Sequence, residues 1–367
     1  MKKLAVLFSF IMIFILSGCK EEKQLTVIED DNSVRFTEIS LPYFSEAAIL
    51  RSFDGKYACF TAQKPGSSEE GENPMPQTVQ ILVYDIENQT VEIDWQADKY
   101  IGCVMDAEYK DGSIYYVSAD YESEKQTVNI YKDGKIKEIY SLPYEPVSSR
   151  FIDLMKDKNN NILFIYKDKE YNMKIGIARE EKREIIYNMN GDSEYSVYNL
   201  TVDGKNNDGL YNASFNTSSY ANSTFHIDRW TAGKVETVRL VPIFSRYFNI
   251  VGDNVFFYEI TDTEKGKEII LTGESLTNET VAPVENLGKG TIFKHWNNDR
   301  YMIYLVKEND KYRFKAVESG EMQITVKDVN FDFATDNVTV CISGDKALLA
   351  EEYEFGETSR LYIADLS

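Results

Sequence analysis

Only two histidines, His226 and His295, are available for proton transfer near neutral pH or for imidazole ligation of a metal. Neither lies in an H-E-x-x-H frame, which argues against a zinc protease. His226 sits in "FHIDRW", two residues before Asp228. A strand would put both side chains on one face, and a structural His–Asp contact is the plainer reading. The chain has no G-x-S-x-G, no phosphate-cradling Gly-rich loop and no C-x-x-C. "DGKNNDG" (203–209) and "DKNNN" (157–161) offer oxygen ligands of the kind calcium takes. Lys205 stands where a ligand belongs, no Glu closes either loop at the required distance, and the same residues are common turn formers. No catalytic residue, metal site or cofactor is expected.

The four thiols divide into one and three. Cys19 follows Leu16-Ser17-Gly18 at the end of an apolar run, Leu4–Leu16, that is preceded by Lys2 and Lys3 and interrupted only by Ser9. Thirteen residues are too few for a membrane-spanning helix, which needs about 20. A charged start, a short apolar stretch and small residues before a cut are the layout of a secretory signal. Leu16-Ser17-Gly18-Cys19 resembles the lipobox of bacterial lipoproteins. That resemblance implies a diacylglyceryl thioether on Cys19, cleavage before it, and a location on the extracytoplasmic side of the cell membrane. One acyl chain gives marginal membrane binding and two hold stably. The division expected is a signal peptide over 1–18, the lipidated cysteine and a flexible tether over 19–32, and one folded domain over 33–367. Cys59, Cys103 and Cys341 remain, an odd number, two of them in strand-like stretches. Buried free thiols are the plainer expectation, and the sequence does not specify a disulfide.

Sixty acidic residues against 40 basic ones give a formal charge of −20, and removal of Lys2 and Lys3 with the leader makes it −22. That argues against a nucleic-acid partner and against direct binding of anionic lipid surfaces, both of which want basic patches, and it permits cationic partners.

The elements that must position any site are strands. β-Branched and aromatic residues occur in short runs broken by Asn, Asp and Gly, and no long amphipathic helical period is present. Tight turns at Asp54-Gly55, Asp111-Gly112, Asn160, Asp208-Gly209, Gly252-Asp253, Asn298-Asp299 and Gly344-Asp345 lie roughly 47 residues apart. A second series, at Glu87-Asn88, Asp133-Gly134, Glu180-Glu181, Ala232-Gly233, Thr277-Asn278 and Ser319-Gly320, interleaves with the first. Two hairpins per period make four strands per unit, the composition of a β-propeller blade. The expected fold is all-β: a single β-propeller of seven four-stranded blades, with six or eight as open alternatives. The seventh unit lacks a strand after "RLYIADLS", and Ser33–Ile39 is the candidate to complete it and remove the exposed edge. "SFDGKYACFTA … VQILVYDIENQTVEI" resembles blades of TolB-type and WD-repeat-like propellers, although the Gly-His and Trp-Asp signatures of WD repeats are missing.

In such a fold the loops between second and third strands share one face. Here they are acidic and carry Tyr121, Tyr171, Tyr220, Tyr353 and Phe355. Aromatics among acids suit a sugar, a peptide or a cationic partner. The expected function is a membrane-anchored, non-catalytic propeller that binds an envelope protein or glycan as scaffold or receptor. The alternative is a propeller lyase or hydrolase that acts on a polysaccharide through Asp and Glu. Replacement of Cys19 by Ser is expected to release the protein from membranes in cell fractionation, with the wild-type chain staying in the membrane fraction.

Overall fold

A computed structural model describes residues 24–44, 48–64, 78–97, 101–120, 123–143, 150–156, 161–167, 173–178, 184–189, 195–202, 210–216, 224–231, 234–242, 248–264, 266–278, 280–308, 311–331, 337–352 and 358–367, with 64, 78, 150–153, 167, 173, 184–242, 248, 263 and 308 described as backbone only. These residues form 29 strands in seven sheets. Sheet I is Ala48–Phe53, Tyr57–Lys64, Thr78–Asp85 and Thr90–Gln96, an up-and-down meander in chain order. Sheets II (103–143), III (150–189), IV (195–242) and V (248–288) repeat that order. Sheet VI comprises Thr291–Asn297, Tyr301–Glu308, Lys311–Ser319 and Gln323–Asn330, and sheet VII comprises Val338–Ser343, Lys346–Glu352 and Thr358–Asp365.

The hairpins follow the local chemistry of the turns. Asp111 and Gly112 have φ of 48° and 76°, and Asp133 and Gly134 have 50° and 75°. Two consecutive left-handed residues are what a type I′ turn requires, and the turn's twist matches that of the strands it joins. Asp54 caps its turn through Oδ1, which accepts from the amides of Lys56 (3.0 Å) and Tyr57 (2.7 Å). The expected two-residue turn at Glu87-Asn88 is instead four residues long, because Asp85 ends its strand by accepting from the Asn88 amide at 2.9 Å.

Each antiparallel meander has two ends. One carries the first-to-second and third-to-fourth hairpin turns. The other carries the second-to-third connections and the links between sheets. The turn ends of neighbouring sheets meet on one side. Asn298 donates to the Gly344 carbonyl at 2.8 Å, Lys346 pairs with Glu87 at 2.9 Å, and the rings of Tyr57 and Tyr109 lie 5.0 Å apart. The core is a series of clusters between adjacent sheets. Cys59, Ile81, Trp95, Val104, Ile114 and Tyr116 fill the space between I and II, and Val117, Val128, Leu154 and Phe164 that between II and III. Phe256, Leu271, Tyr304 and Ile324 join V to VI, Ile303, Phe314, Val340 and Leu349 join VI to VII, and Leu348, Leu361, Phe60 and Leu82 join VII to I.

The N-terminal segment differs from expectation in extent. Thr37–Ile39 pairs antiparallel with Thr358–Asp365 and supplies the fourth strand of sheet VII, as expected of Ser33–Ile39. Ser33–Arg35, however, belongs to a ten-residue strand, Thr26–Arg35, that adds parallel to the outer strand of sheet VI as a fifth member. Thr26–Asn32 is thus strand, not tether. The cause is apolar spacing: Leu25, Val34 and Phe36 are all buried. Leu25 enters the V–VI core, while Val34 and Phe36 enter the VI–VII core. Phe36 meets Phe331 edge-on at 5.9 Å, and Phe331 meets Tyr362 at 4.6 Å. One strap therefore crosses the outer edges of two sheets and covers both. Phe36→Ala is expected to destabilise the fold by about 3–5 kcal/mol in chemical denaturation, because it opens a cavity where strap, sheet VI and sheet VII meet.

Candidate functional site

The first strands of sheets V, VI, VII, I, II and III lie side by side in that order with no ladder between them. Something else must satisfy and space their backbones. In five sheets this strand carries a β-bulge at the same place. The pairing slips between Leu50 and Ser52, Val104 and Asp106, Phe151 and Asp153, Val197 and Asn199, and Ile292 and Lys294. A polar residue follows the bulge each time: Ser52, Asp106, Asp153, Asn199, Lys294. A bulge bends the strand and re-aims the side chains beside it.

Where side chains are described, these positions and their neighbours clamp one sheet to the next. Lys294 Nζ donates to the Val338 carbonyl at 3.2 Å, sheet VI to sheet VII. The Cys341 thiol donates to the Arg51 carbonyl at 3.9 Å, VII to I. Gln63 takes both backbone groups of Val104, donating at 2.8 Å and accepting at 2.9 Å, and Arg51 Nη2 adds a contact to the same carbonyl at 3.4 Å, I to II. Asp106 Oδ2 accepts from the Leu154 amide at 2.9 Å, II to III. Asn297 Nδ2 donates to the Ile250 carbonyl at 3.3 Å, VI to V.

Among the described residues, a group of ionisable side chains lies where sheets VII, I, II and III converge. Arg51 bonds Thr61 Oγ1 through Nε at 2.7 Å. Burial works against its charge, and Asp106 supplies the largest compensation. Glu108 is 14 % exposed and its Oε2 lies 3.1 Å from Lys156 Nζ. Burial pushes the Glu108 carboxyl up to about 7, against the pull of Lys156 and of the Ser52 hydroxyl. Such a carboxyl can hold or release a proton near neutrality, the property a general acid or base needs and one that structural ion pairs share. Around this group stand Cys59, Cys103 and Cys341, all free thiols. Burial raises each thiol above its ordinary range and keeps it protonated and unreactive at neutral pH. Among the described residues, no cluster of three His, Cys, Asp or Glu has metal-binding geometry.

The site residues read from the sequence fall elsewhere. Cys19, Tyr121, Tyr171, Tyr220, Tyr353 and Phe355 lie outside the described residues, as do 157–160 and 203–209 of the calcium-like stretches. His226 and Asp228 belong to the strand Thr224–Thr231 and are described as backbone only. His295 is in the first strand of sheet VI, and burial lowers its pKa, which keeps it neutral at pH 7. The sequence reading missed Arg51, Asp106, Glu108 and Lys156. The available signal was a charged residue inside an apolar strand, shortly before a turn.

No protein-family model matches the sequence, and no curated protein matches it. Solved structures do match. The β-propeller domain of the Trilobed protease from Pyrococcus furiosus, described as having an open velcro topology, aligns with a TM-score of 0.58 at 11% identity over 89% of this chain and 97% of that one. An acylaminoacyl peptidase from Pyrococcus horikoshii aligns at 0.54 and 10% identity, over 87% of this chain and 52% of its own. A prolyl endopeptidase aligns at 0.52 and 10% identity, over 83% and 53%. The chain spans about half the length of these two peptidases. The fold is that of β-propeller domains.

Glu108 binds its proton more tightly in the folded chain than a free glutamate does. Its contribution to stability is present below pH 4.5 and is lost as pH rises through 7. Relative to Glu108→Gln, the wild type is expected to lose on the order of 3 kcal/mol of unfolding free energy across that window, read by urea denaturation at pH 5 and 8. A difference that does not change with pH would show that the carboxyl is already ionised throughout.

Proposed function

We propose that this chain is a lipid-anchored, extracytoplasmic propeller of seven blades, closed by its N-terminal strap, that binds a protein or glycan of the cell envelope without chemical turnover. The supporting observation is how its polar interior is used. Asp106, Gln63, Lys294, Asn297 and Arg51 each make a hydrogen bond to the backbone of a neighbouring sheet. The inner strands are thereby occupied with assembly, and recognition is left to the surface. Two further features agree with this reading. The lipobox-like Leu16-Ser17-Gly18-Cys19 stands six residues before Leu25, where the fold begins. The sequence puts Tyr121, Tyr171, Tyr220, Tyr353 and Phe355 in acidic stretches between second and third strands, the kind of segment that suits recognition. The peptidase names among the neighbours belong to chains about twice as long and transfer only the fold.

A specific observation supports an enzyme as the second reading: Glu108, with its carboxyl near 7, beside Lys156. One experiment separates the two. Crosslinking in intact cells, followed by mass spectrometry, is expected to recover one dominant envelope protein, or else the purified domain is expected to bind envelope glycans saturably. Tyr121→Ala and Tyr353→Ala should each weaken that binding roughly tenfold, as loss of an interface aromatic does. Turnover of an envelope polysaccharide that disappears in Glu108→Gln would replace the scaffold with the enzyme.

A further inference from the structure

The anchor proposed at Cys19 and the strap that follows it have a geometric consequence for how the domain stands on a membrane. Leu25 is buried between sheets V and VI, among Val251, Phe256, Ala282 and Ile324. The next residue, Thr26, donates its amide to the Met322 carbonyl at 3.0 Å, inside the third-to-fourth hairpin of sheet VI. Met322 Sδ also accepts from Asn278 Nδ2 at 3.0 Å, in the corresponding turn of sheet V. The chain therefore enters the fold at the turn end. From Cys19 to Leu25 there are six Cα-to-Cα steps, which reach at most about 22 Å when fully extended. An eight-residue strand such as Tyr57–Lys64 is itself about 26 Å long. The leash is shorter than the sheets are tall, and it is fixed at the turn end.

We infer, on the basis of that anchor, that the end of the sheets carrying the hairpin turns faces the lipid surface, and that the opposite end, where the second strand of each sheet leads to the third, points away from it. Charge does not choose between the ends, because cations stand beside acids at the turn end, Lys56 with Asp85 at 3.4 Å and Lys346 with Glu87 at 2.9 Å, and at the other, Arg360 with Glu351 at 3.9 Å; the short leash does. A ligand held on the far end would be presented to the envelope space and kept clear of the headgroups.

The test uses the full lipidated chain in vesicles of phosphatidylglycerol and phosphatidylcholine that carry a headgroup nitroxide quencher. Single exposed positions are changed to cysteine and labelled with a fluorophore: Glu321→Cys and Asp133→Cys at the turn end, Asp262→Cys at the other. The unsubstituted chain, with Cys59 buried and Cys103 and Cys341 half-buried, controls for background labelling. The expected result is several-fold stronger quenching at 321 and 133 than at 262. Quenching at 262 equal to that at 321, or quenching confined to 321, means that the domain lies on its side, and overturns the orientation while leaving the anchor intact. Flotation and the mass of the N-terminal peptide read the anchor separately. A chain that does not float, with no lipid mass on Cys19, removes the anchor and the orientation together.

Discussion

The constraint on which this structure depends is lateral. A four-stranded sheet satisfies its own backbone along the ladder, but its first strand must sit beside the first strands of two other sheets with no ladder between them. Apolar packing alone would hold such strands at a distance without fixing their height. The polar side chains at and near the bulges do fix it. Gln63 grips both backbone groups of Val104, and Asp106 accepts from Leu154. Each bond contributes only about 1 kcal/mol net, but an unmade one in the interior would cost more. The junctions are therefore better understood as registration than as glue.

The same logic explains the N-terminal strap. Thr26–Arg35 and Thr37–Ile39 belong to different sheets, with Phe36 buried between them. Lys327, in the outer strand that pairs with the strap, donates to the Leu366 carbonyl at 3.0 Å. Strap and C-terminal residues thus share one set of contacts across sheets VI and VII. A pull on the N-terminus loads a strand pair whose bonds lie along its length, together with a buried aromatic, before it reaches the rest of the fold.

The sequence revealed the part of the architecture that is local. Hairpins were legible because Asp-Gly and Gly-Asp pairs at fixed spacing have few other uses, and type I′ geometry at 111–112 and 133–134 follows from those residues directly. The end of the tether was misread because Thr26–Asn32 is polar and mostly exposed. An outer parallel strand buries little, so alternation is missing, and only Leu25, Val34 and Phe36 mark it. The ionisable residues near sheets I to III were legible one by one, as charges inside apolar strands, but not as a group. Arg51, Glu108 and Lys156 lie in three separate units, and only their packing brings Glu108 to 3.1 Å from Lys156. The bulges escaped for a related reason: an extra residue in a strand shifts register without changing composition.

Whether Glu108 belongs to chemistry or to assembly turns on what surrounds it. A general acid must face a space that a substrate can enter, yet the described neighbours of Glu108 are Lys156, the Ser52 hydroxyl, Asp106 and buried thiols. Asp106, the second acid, already accepts from two backbone amides, those of Ala107 and Leu154. A carboxylate so bound is oriented toward the backbone it holds. That leaves one carboxyl poised near neutrality, with its cation 3.1 Å away, at a junction that the fold needs regardless of any ligand. Paired acids do the work of polysaccharide cleavage, and here one member of the pair is engaged in holding sheet II to sheet III. The geometry therefore assigns the described interior side chains to assembly of the sheets.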